Sequence, residues 1–141
     1  MYLKQIELEN FKSFGKKLTV PLLEGYTAVT GPNGSGKSNI SDSILFVLGP
    51  KSSKAIRAGK LSDLIFNGGN NKNPAKYCKV SLVFDNTDRT IPIDEDIVRL
   101  TRMIKMSADG EGYTSYFYVN DRKSSLSEFD MLLSNARISA D

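Results

Sequence analysis

Gly31-Pro32-Asn33-Gly34-Ser35-Gly36-Lys37-Ser38 is the stretch on which the reading of this chain turns. It fits G-x-x-x-x-G-K-[ST], the pattern of a loop that wraps phosphate. Glycines let the backbone curl until successive N–H groups point inward at an anion, and a helix that follows adds its positive end. Lys37 would reach the β- and γ-phosphates as a mobile point charge, and Ser38 would give its hydroxyl to Mg²⁺. A shuffled chain of this composition would match in about one case in a hundred, so the surroundings carry weight. Before the loop, Tyr26-Thr27-Ala28-Val29-Thr30 is a continuous β-prone run, as in a strand buried on both faces. After it, Ile40, Ile44, Val47 and Leu48 recur at i, i+4, i+7 and i+8, one face of a helix about three turns long. Gly49-Pro50 ends that helix. Strand, loop and helix in this order predict nucleotide binding. A plain glycine-rich turn would leave Lys37 and Ser38 without a task.

On the N-terminal side, Tyr2 to Leu8 reads as a short strand with Leu3 out of step with Ile6 and Leu8. Asn10 to Gly15 reads as a turn, and Lys17 to Leu22 as a second strand stopped near Pro21, which together predict a hairpin. On the C-terminal side, Lys51 to Lys60 is a basic, serine-rich loop, Leu61 to Phe66 one helical turn, and Asn67 to Pro74 a loop. Three β-rich segments follow: Tyr77 to Phe84, Ile97 to Met106 and Tyr113 to Val119. In the second, Val98, Leu100, Arg102, Ile104 and Met106 alternate only loosely with Arg99, Thr101 and Lys105. Asp109 to Gly112 is a hairpin turn. Ser125-Leu126-Ser127-Glu128 matches a capping box, with a helix running to about Ala136. The fold class is α/β, a lobe with much antiparallel sheet around the phosphate-loop helix.

The 141 residues are enough for one domain or one lobe of a larger one. Lys and Arg number 19 against 16 Asp and Glu, a net charge of +3 that permits an anionic partner without demanding one. Histidine is absent, which excludes histidine general bases, Ser-His and Cys-His pairs and imidazole-bound zinc. The single Cys78 forms no internal disulfide, so an intracellular reducing setting is expected. The longest apolar run, Ile44 to Leu48, falls far short of the ~20 residues of a membrane span. The charged start predicts no signal peptide.

A hydrolytic site also needs an acid on Mg²⁺ and a group that positions water. Leu82-Val83-Phe84-Asp85 has the apolar run but continues with Asn86, and Ile91-Pro92-Ile93-Asp94-Glu95 carries a proline where a central strand needs its N–H. Both read as strand ends with solvated acids. Asn67-Gly68-Gly69 lacks the preceding Leu-Ser of a nucleotide-sensing signature. The chain holds half an active site.

Ile6-Glu7-Leu8-Glu9-Asn10-Phe11-Lys12-Ser13-Phe14, the phosphate loop through Asn39, and Ile44 to Gly49 resemble the N-terminal head segment of the structural-maintenance-of-chromosomes (SMC) ATPases. Arg57-Ala58-Gly59-Lys60-Leu61-Ser62-Asp63-Leu64-Ile65-Phe66 and Val83 to Asn86 extend the resemblance over essentially the whole chain. It implies an ABC-type P-loop head built from both ends of a long chain joined through an antiparallel coiled coil. Residues 1–141 would then be its N-terminal lobe, stopping before the Q-loop glutamine and the coiled coil. The Mg²⁺-binding acid, the catalytic glutamate and the signature serine would come from the C-terminal half of the same head. Two heads would sandwich two ATP molecules, as a homodimer, and separate on hydrolysis, so this segment alone is expected to be inactive. Kleisin-type accessory subunits and DNA are the further partners implied, with no membrane. The setting would be the cytoplasm and nucleoid in a prokaryote, the nucleus in a eukaryote.

Carried over position by position, the resemblance makes Lys12 and Ser13 nucleotide contacts of the first loop. Pro32, Asn33, Gly34, Ser35, Gly36, Lys37, Ser38 and Asn39 form the cradle for ATP, with Ser38 also on Mg²⁺ and Asp63 a further contact. Arg57 matches an arginine loop, where a permanently charged fork can grip phosphate oxygens of nucleotide or DNA. It is grouped with Lys37 as catalytic.

Asn120-Asp121-Arg122-Lys123 reads as a hairpin tip exposing two cations, and Lys51, Lys54, Arg57 and Lys60 crowd one loop. Lys60, Arg122 and Lys123 are the candidates for sequence-independent, salt-sensitive contact with DNA phosphates. Each cluster also reads as a solvated charged loop. No recognition helix or stacking platform is evident in the sequence. Three other functions compete. A related DNA double-strand-break-repair ATPase has a similar head, but Phe11-Lys12-Ser13-Phe14 leans towards SMC. A transporter nucleotide-binding domain needs an adenine-stacking aromatic, and Tyr26 stands too close to Gly31 to serve. A small-molecule phosphotransferase needs an acceptor pocket and more phosphate-binding arginines than these scattered six.

Overall fold

The computed structural model describes residues 1–11, 14–22, 42–49, 75–108 and 113–136. In chain order these form β1 (Tyr2–Phe11), β2 (Phe14–Pro21), helix α1 (residues 42–48), β3 (Tyr77–Asp85), β4 (Ile97–Met106), β5 (Tyr113–Val119), β6 (Arg122–Ser124) and α2 (Leu126–Asn135). The strands make one sheet in the order β2-β1-β3-β4-β5-β6, with every neighbouring pair antiparallel. β1 lies between β2 and β3, so these two strands, consecutive among the described ones, are not neighbours in the sheet. The phosphate-loop signature and α1 fall between Pro21 and Tyr77 in the chain.

Period-two alternation sets which face is dry. Ile6, Leu82, Leu100 and Val119 stand in one cross-strand row, and Leu8, Val80, Arg102 and Phe117 in the next. On this face Ile6, Leu8, Val80, Leu82 and Leu100 are buried, covered by Phe46 and Val47 of α1 and by Phe129 and Leu133 of α2. At about 1.5–3 kcal/mol for each large apolar side chain withdrawn from water, this row-on-row packing dominates what holds the sheet to its helices. The other face is polar. Arg99 Nε donates to Glu7 at 3.0 Å, Ser81 and Thr101 hydroxyls pair at 2.7 Å, and the Tyr77 hydroxyl donates to Glu9.

Two register shifts explain departures from the sequence expectation. The β1–β3 ladder slips between Leu3 and Gln5, which returns Leu3 to the core side beside Ile6 and removes the apparent phase error. The β1–β2 ladder shifts between Glu9 and Phe11, with Asn10 at φ 54°. Asn tolerates this left-handed conformation. The expected turn over Asn10 to Gly15 is thereby reduced: β1 runs to Phe11, β2 starts at Phe14, and only Lys12 and Ser13 separate them.

β3, β4 and β5 fall where alternation places them, and α2 is capped as its capping box predicts, with the Glu128 N–H donating to Ser125 Oγ at 3.1 Å. Between β3 and β4 the chain folds around Asn86, whose wholly buried amide reaches the carbonyls of Ile91, Ile93 and Glu95 at 3.0–3.1 Å and accepts from Ile91 N–H at 2.9 Å. Asp85 accepts from Thr87 N–H and hydroxyl, while Asp94 and Asp96 meet Arg89 in solvent. Tyr26 to Thr30, Leu61 to Phe66 and Asp109 to Gly112 lie outside the described residues.

Candidate functional site

Of the candidate site residues, Arg122 and Lys123 fall within the described part of the chain. Lys12, Ser13, Pro32 through Asn39, Arg57, Lys60 and Asp63 lie outside it. The structure describes the helix that follows the Gly31–Ser38 stretch in the chain and the sheet that holds it.

The frame is α1 and the parts of the sheet that grip it. Asp42, Ser43, Phe46 and Val47 are buried along the helix. Phe11, the last residue of β1, meets Phe46 with ring centroids 5.7 Å apart at a 48° tilt. This contact brings the end of β1 against the helix. At the helix C-terminus, four carbonyls lack partners within the helix. Gly49 N–H donates to Leu45 O at 2.8 Å, and Arg102 Nη1 donates to Phe46 O at 3.1 Å.

Arg102 comes from the middle of β4 and points into the core, 1% exposed. Its guanidinium carbon lies 4.5 Å from the Phe46 ring centroid and 5.5 Å from that of Phe117. Nη2 donates to Ser115 Oγ at 3.1 Å. Phe117 in turn meets Phe129 of α2 at 5.1 Å. A single stack therefore runs Phe11–Phe46–Arg102–Phe117–Phe129, from β1 through α1, β4 and β5 to α2. The Asp130 carboxylate acts on the Arg102 charge through space, and among the described residues Nε has no hydrogen-bond partner. Burial lowers its pKa below the ordinary guanidinium value, yet an arginine stays protonated in a protein. A buried charge is costly. Here it is offset by two aromatic faces, two charge-assisted donations and the negative end of the helix dipole.

At the far edge, the β5–β6 hairpin turns through Asn120 and Asp121, both at positive φ, 48° and 69°. Two such residues in succession fit a two-residue turn whose twist matches the strands. Asn120 Oδ1 accepts from Arg99 N–H at 2.7 Å, which ties the tip to β4. Arg122 and Lys123 follow in β6, both exposed, and pair with Val119 and Tyr118. Successive strand residues face opposite ways, so the two cations flank the sheet edge. Lys123 Nζ sits 5.1 Å from the Tyr116 ring centroid.

Residues 2–141 match the RecF/RecN/SMC N terminal domain. The chain belongs to that family. The chromosome partition protein Smc of Pyrococcus furiosus is 49% identical over 141 residues, 99% of this chain and 12% of the relative. That of Fusobacterium nucleatum is 48% identical over 132 residues, 94% of this chain and 11% of the relative. This chain thus spans about an eighth of the length of the relatives it matches. An SMC head bound to the C-winged helix domain of ScpA superposes with a TM-score of 0.87 at 48% identity, covering all of this chain and 42% of that one. A structure from a study of ATP-driven dimerization and DNA-stimulated activation of SMC ATPases gives 0.86 at 48% identity, over 99% and 81% of the two chains. The ABC-type SMC head fold expected from the sequence is the fold found.

For this SMC-family lobe, Arg102 is the residue the sequence reading did not single out. The signal was present: Arg102 occupies an inward position between Leu100 and Ile104, and both neighbours are wholly buried. A cation in the apolar phase of a strand calls for a buried acceptor. The carbonyl that takes it lies 56 residues earlier, a pairing no local pattern reveals.

Proposed function

We propose that this chain is the ATP-binding N-terminal lobe of an SMC head, completed by the C-terminal half of the same head into an ATPase. The observation that carries this reading is the mounting of α1. The helix is held to the sheet through its buried face and its C-terminal carbonyls, and the chain leads back from its other end to Gly31–Ser38. A helix N-terminus approached by glycine-rich backbone, a lysine and a serine suits a polyphosphate with Mg²⁺. Lys37 would hold the β- and γ-phosphates, Ser38 would take Mg²⁺, and Pro32 to Asn39 would supply the cradle. Lys12, Ser13, Asp63 and Arg57 would be further contacts, with Arg57 and Lys37 favouring the charge that develops during transfer. ATP, with Mg²⁺, supplies the phosphoanhydride whose cleavage resets the assembly.

On this reading two heads engage across ATP and part on hydrolysis, driving chromosome segregation with a kleisin-type subunit and DNA as partners. The named relatives are chromosome partition proteins, and the superposed structures include heads with ScpA and a study of ATP-driven dimerization, which support it. Among the described residues no helix is long and apolar enough to cross a membrane. The setting proposed is the cytoplasm and nucleoid of a prokaryotic cell, in keeping with those relatives.

The test is ATP hydrolysis by this chain alone and mixed with a C-terminal head half carrying the Asp-Glu pair, with Lys37→Ala as control. Activity only in the mixture, abolished by the control, is the expected result. Turnover by the chain alone would overturn the half-site reading.

A further inference from the structure

We propose that Arg102 is a positioning residue for the nucleotide site, acting through the far end of the phosphate-loop helix. The proposal rests on the ATP-binding reading above. Three observations support it. Arg102 Nη1 donates to Phe46 O, one of the carbonyls at the C-terminal end of α1, at 3.1 Å. Its guanidinium lies between the Phe46 and Phe117 rings, which restrains the rotation of the helix about its axis as well as its height on the sheet. Nη2 is tied to Ser115 of β5, so the fork bridges helix and sheet through two separate donors. The Asp130 carboxylate acts on the guanidinium through space, while the hydrogen bonds the fork donates go to Phe46 O and Ser115 Oγ.

A phosphate cradle works only if its amides are aimed, and misplacement by about 1 Å can cost a hundredfold in a site of this kind. Phe46 and Val47 of α1 pack into the core, Asp42 and Ser43 are buried earlier in the helix, and Arg102 ties Phe46 O near its end to β4. An apolar face alone resists lifting but not sliding. The directional bond to Phe46 O fixes the helix along its axis, and Phe46 stands eight residues after Ser38 in the chain. The buried cation also sits where the helix dipole is negative, leaving the positive end free to act on phosphate.

A side chain kept merely to hold the core together would show itself in stability; a positioning residue shows itself in nucleotide affinity. Replacing a buried charge by a long apolar side chain is commonly neutral or stabilising. The two roles therefore separate in Arg102→Met, which fills the same channel without charge. The full-length protein would be compared as wild type, Arg102→Met, Arg102→Lys and Lys37→Ala. The thermal midpoint without nucleotide and the affinity for a non-hydrolysable ATP analogue with Mg²⁺ would be measured for each. The expected result is a midpoint for Arg102→Met close to or above that of wild type, with analogue affinity about tenfold weaker, or about 1.4 kcal/mol. Arg102→Lys, which reaches one acceptor instead of two, should fall between them. Unchanged affinity in a folded Arg102→Met overturns the proposal, as does a loss of affinity that follows the thermal midpoint across both variants. If Arg102→Met does not fold, Arg102→Lys decides, and wild-type affinity there overturns it. A wild type that does not bind the analogue, or a Lys37→Ala that binds as wild type does, instead overturns the phosphate-loop reading and with it the role given to Arg102.

Discussion

Cys78 and Arg102 show how far a residue's chemistry departs from its type once it is placed. Cys78 lies on the core side of β3 opposite Ile104, with no exposed surface. Burial pushes its thiol up to about 12 from the ordinary 9.0, against smaller lowering effects from a backbone hydrogen bond with Ile104 and the charge of Arg102. Thiolate is the reactive form, so the folded protein should resist iodoacetamide between pH 7 and 9 while the denatured chain reacts readily. Mass spectrometry of both states reads this directly, and equal labelling would show that the β3–β4 core opens. The same shift sets a pH slope. Between about 9 and about 12 the unfolded chain has released the thiol proton and the folded one has not, so stability falls as pH rises through that window. A single cysteine in a sequence says only that no internal disulfide forms; its inertness comes from the neighbours.

Among the elements, α1 and α2 end by different devices. α2 follows its capping box, with Ser125 accepting from Glu128 N–H. α1 ends at Gly49, as the Gly-Pro pair predicts, but the reason glycine is needed is steric. A Cβ there would stand 2.8 Å from Leu45 O and 3.2 Å from Leu45 Cδ2. The Leu45 carbonyl is held by Gly49's own N–H and cannot give way without losing that bond. Gly49→Ala should therefore destabilise the protein by about 2 kcal/mol, in the range of a forced backbone clash, measured as a lower denaturant midpoint at unchanged slope. A midpoint within error of wild type would mean that the helix end relaxes freely. The strands were legible from alternation where the ladder is regular. They were obscured where it is not, at the shifts near Leu3 and Asn10. A bulge changes the phase of every residue beyond it, and a reader without the partner strand sees only a broken pattern. The looseness of Val98 to Met106 had another cause: Thr101, on the opposite face, is also buried, paired with Ser81.

On the proposed reading, the whole molecule works as one lobe of an assembled head. The sheet carries Arg122 and Lys123 to an edge, exposed and outside the ion pairs found among the described residues. Phosphate contacts of this kind are salt-sensitive and additive in slope. Lys60→Glu with Arg122→Glu and Lys123→Glu should weaken DNA binding by the assembled head at least about tenfold at low salt and flatten its salt dependence. Unchanged affinity and slope at low salt would remove this edge from the DNA surface. The location of the edge depends on the order β4-β5-β6 and on the turn at Asn120-Asp121, which Asn120 secures to Arg99.

By itself the sequence determined which groups are on offer: the Gly31–Ser38 pattern with its lysine and serine, a single cysteine and no histidine. It also determined the class of the elements, because glycine freedom, proline stops, caps and alternation act within a few residues. Only the tertiary structure decided what holds those elements in place. The stack Phe11–Phe46–Arg102–Phe117–Phe129 draws on five elements, and the Asn86 amide organises a loop of its own. Packing and buried polar pairing are set by three-dimensional neighbours. A residue such as Arg102 therefore reads along the chain as a lapse in an apolar strand, and acquires its meaning from a carbonyl on a helix that the chain left behind.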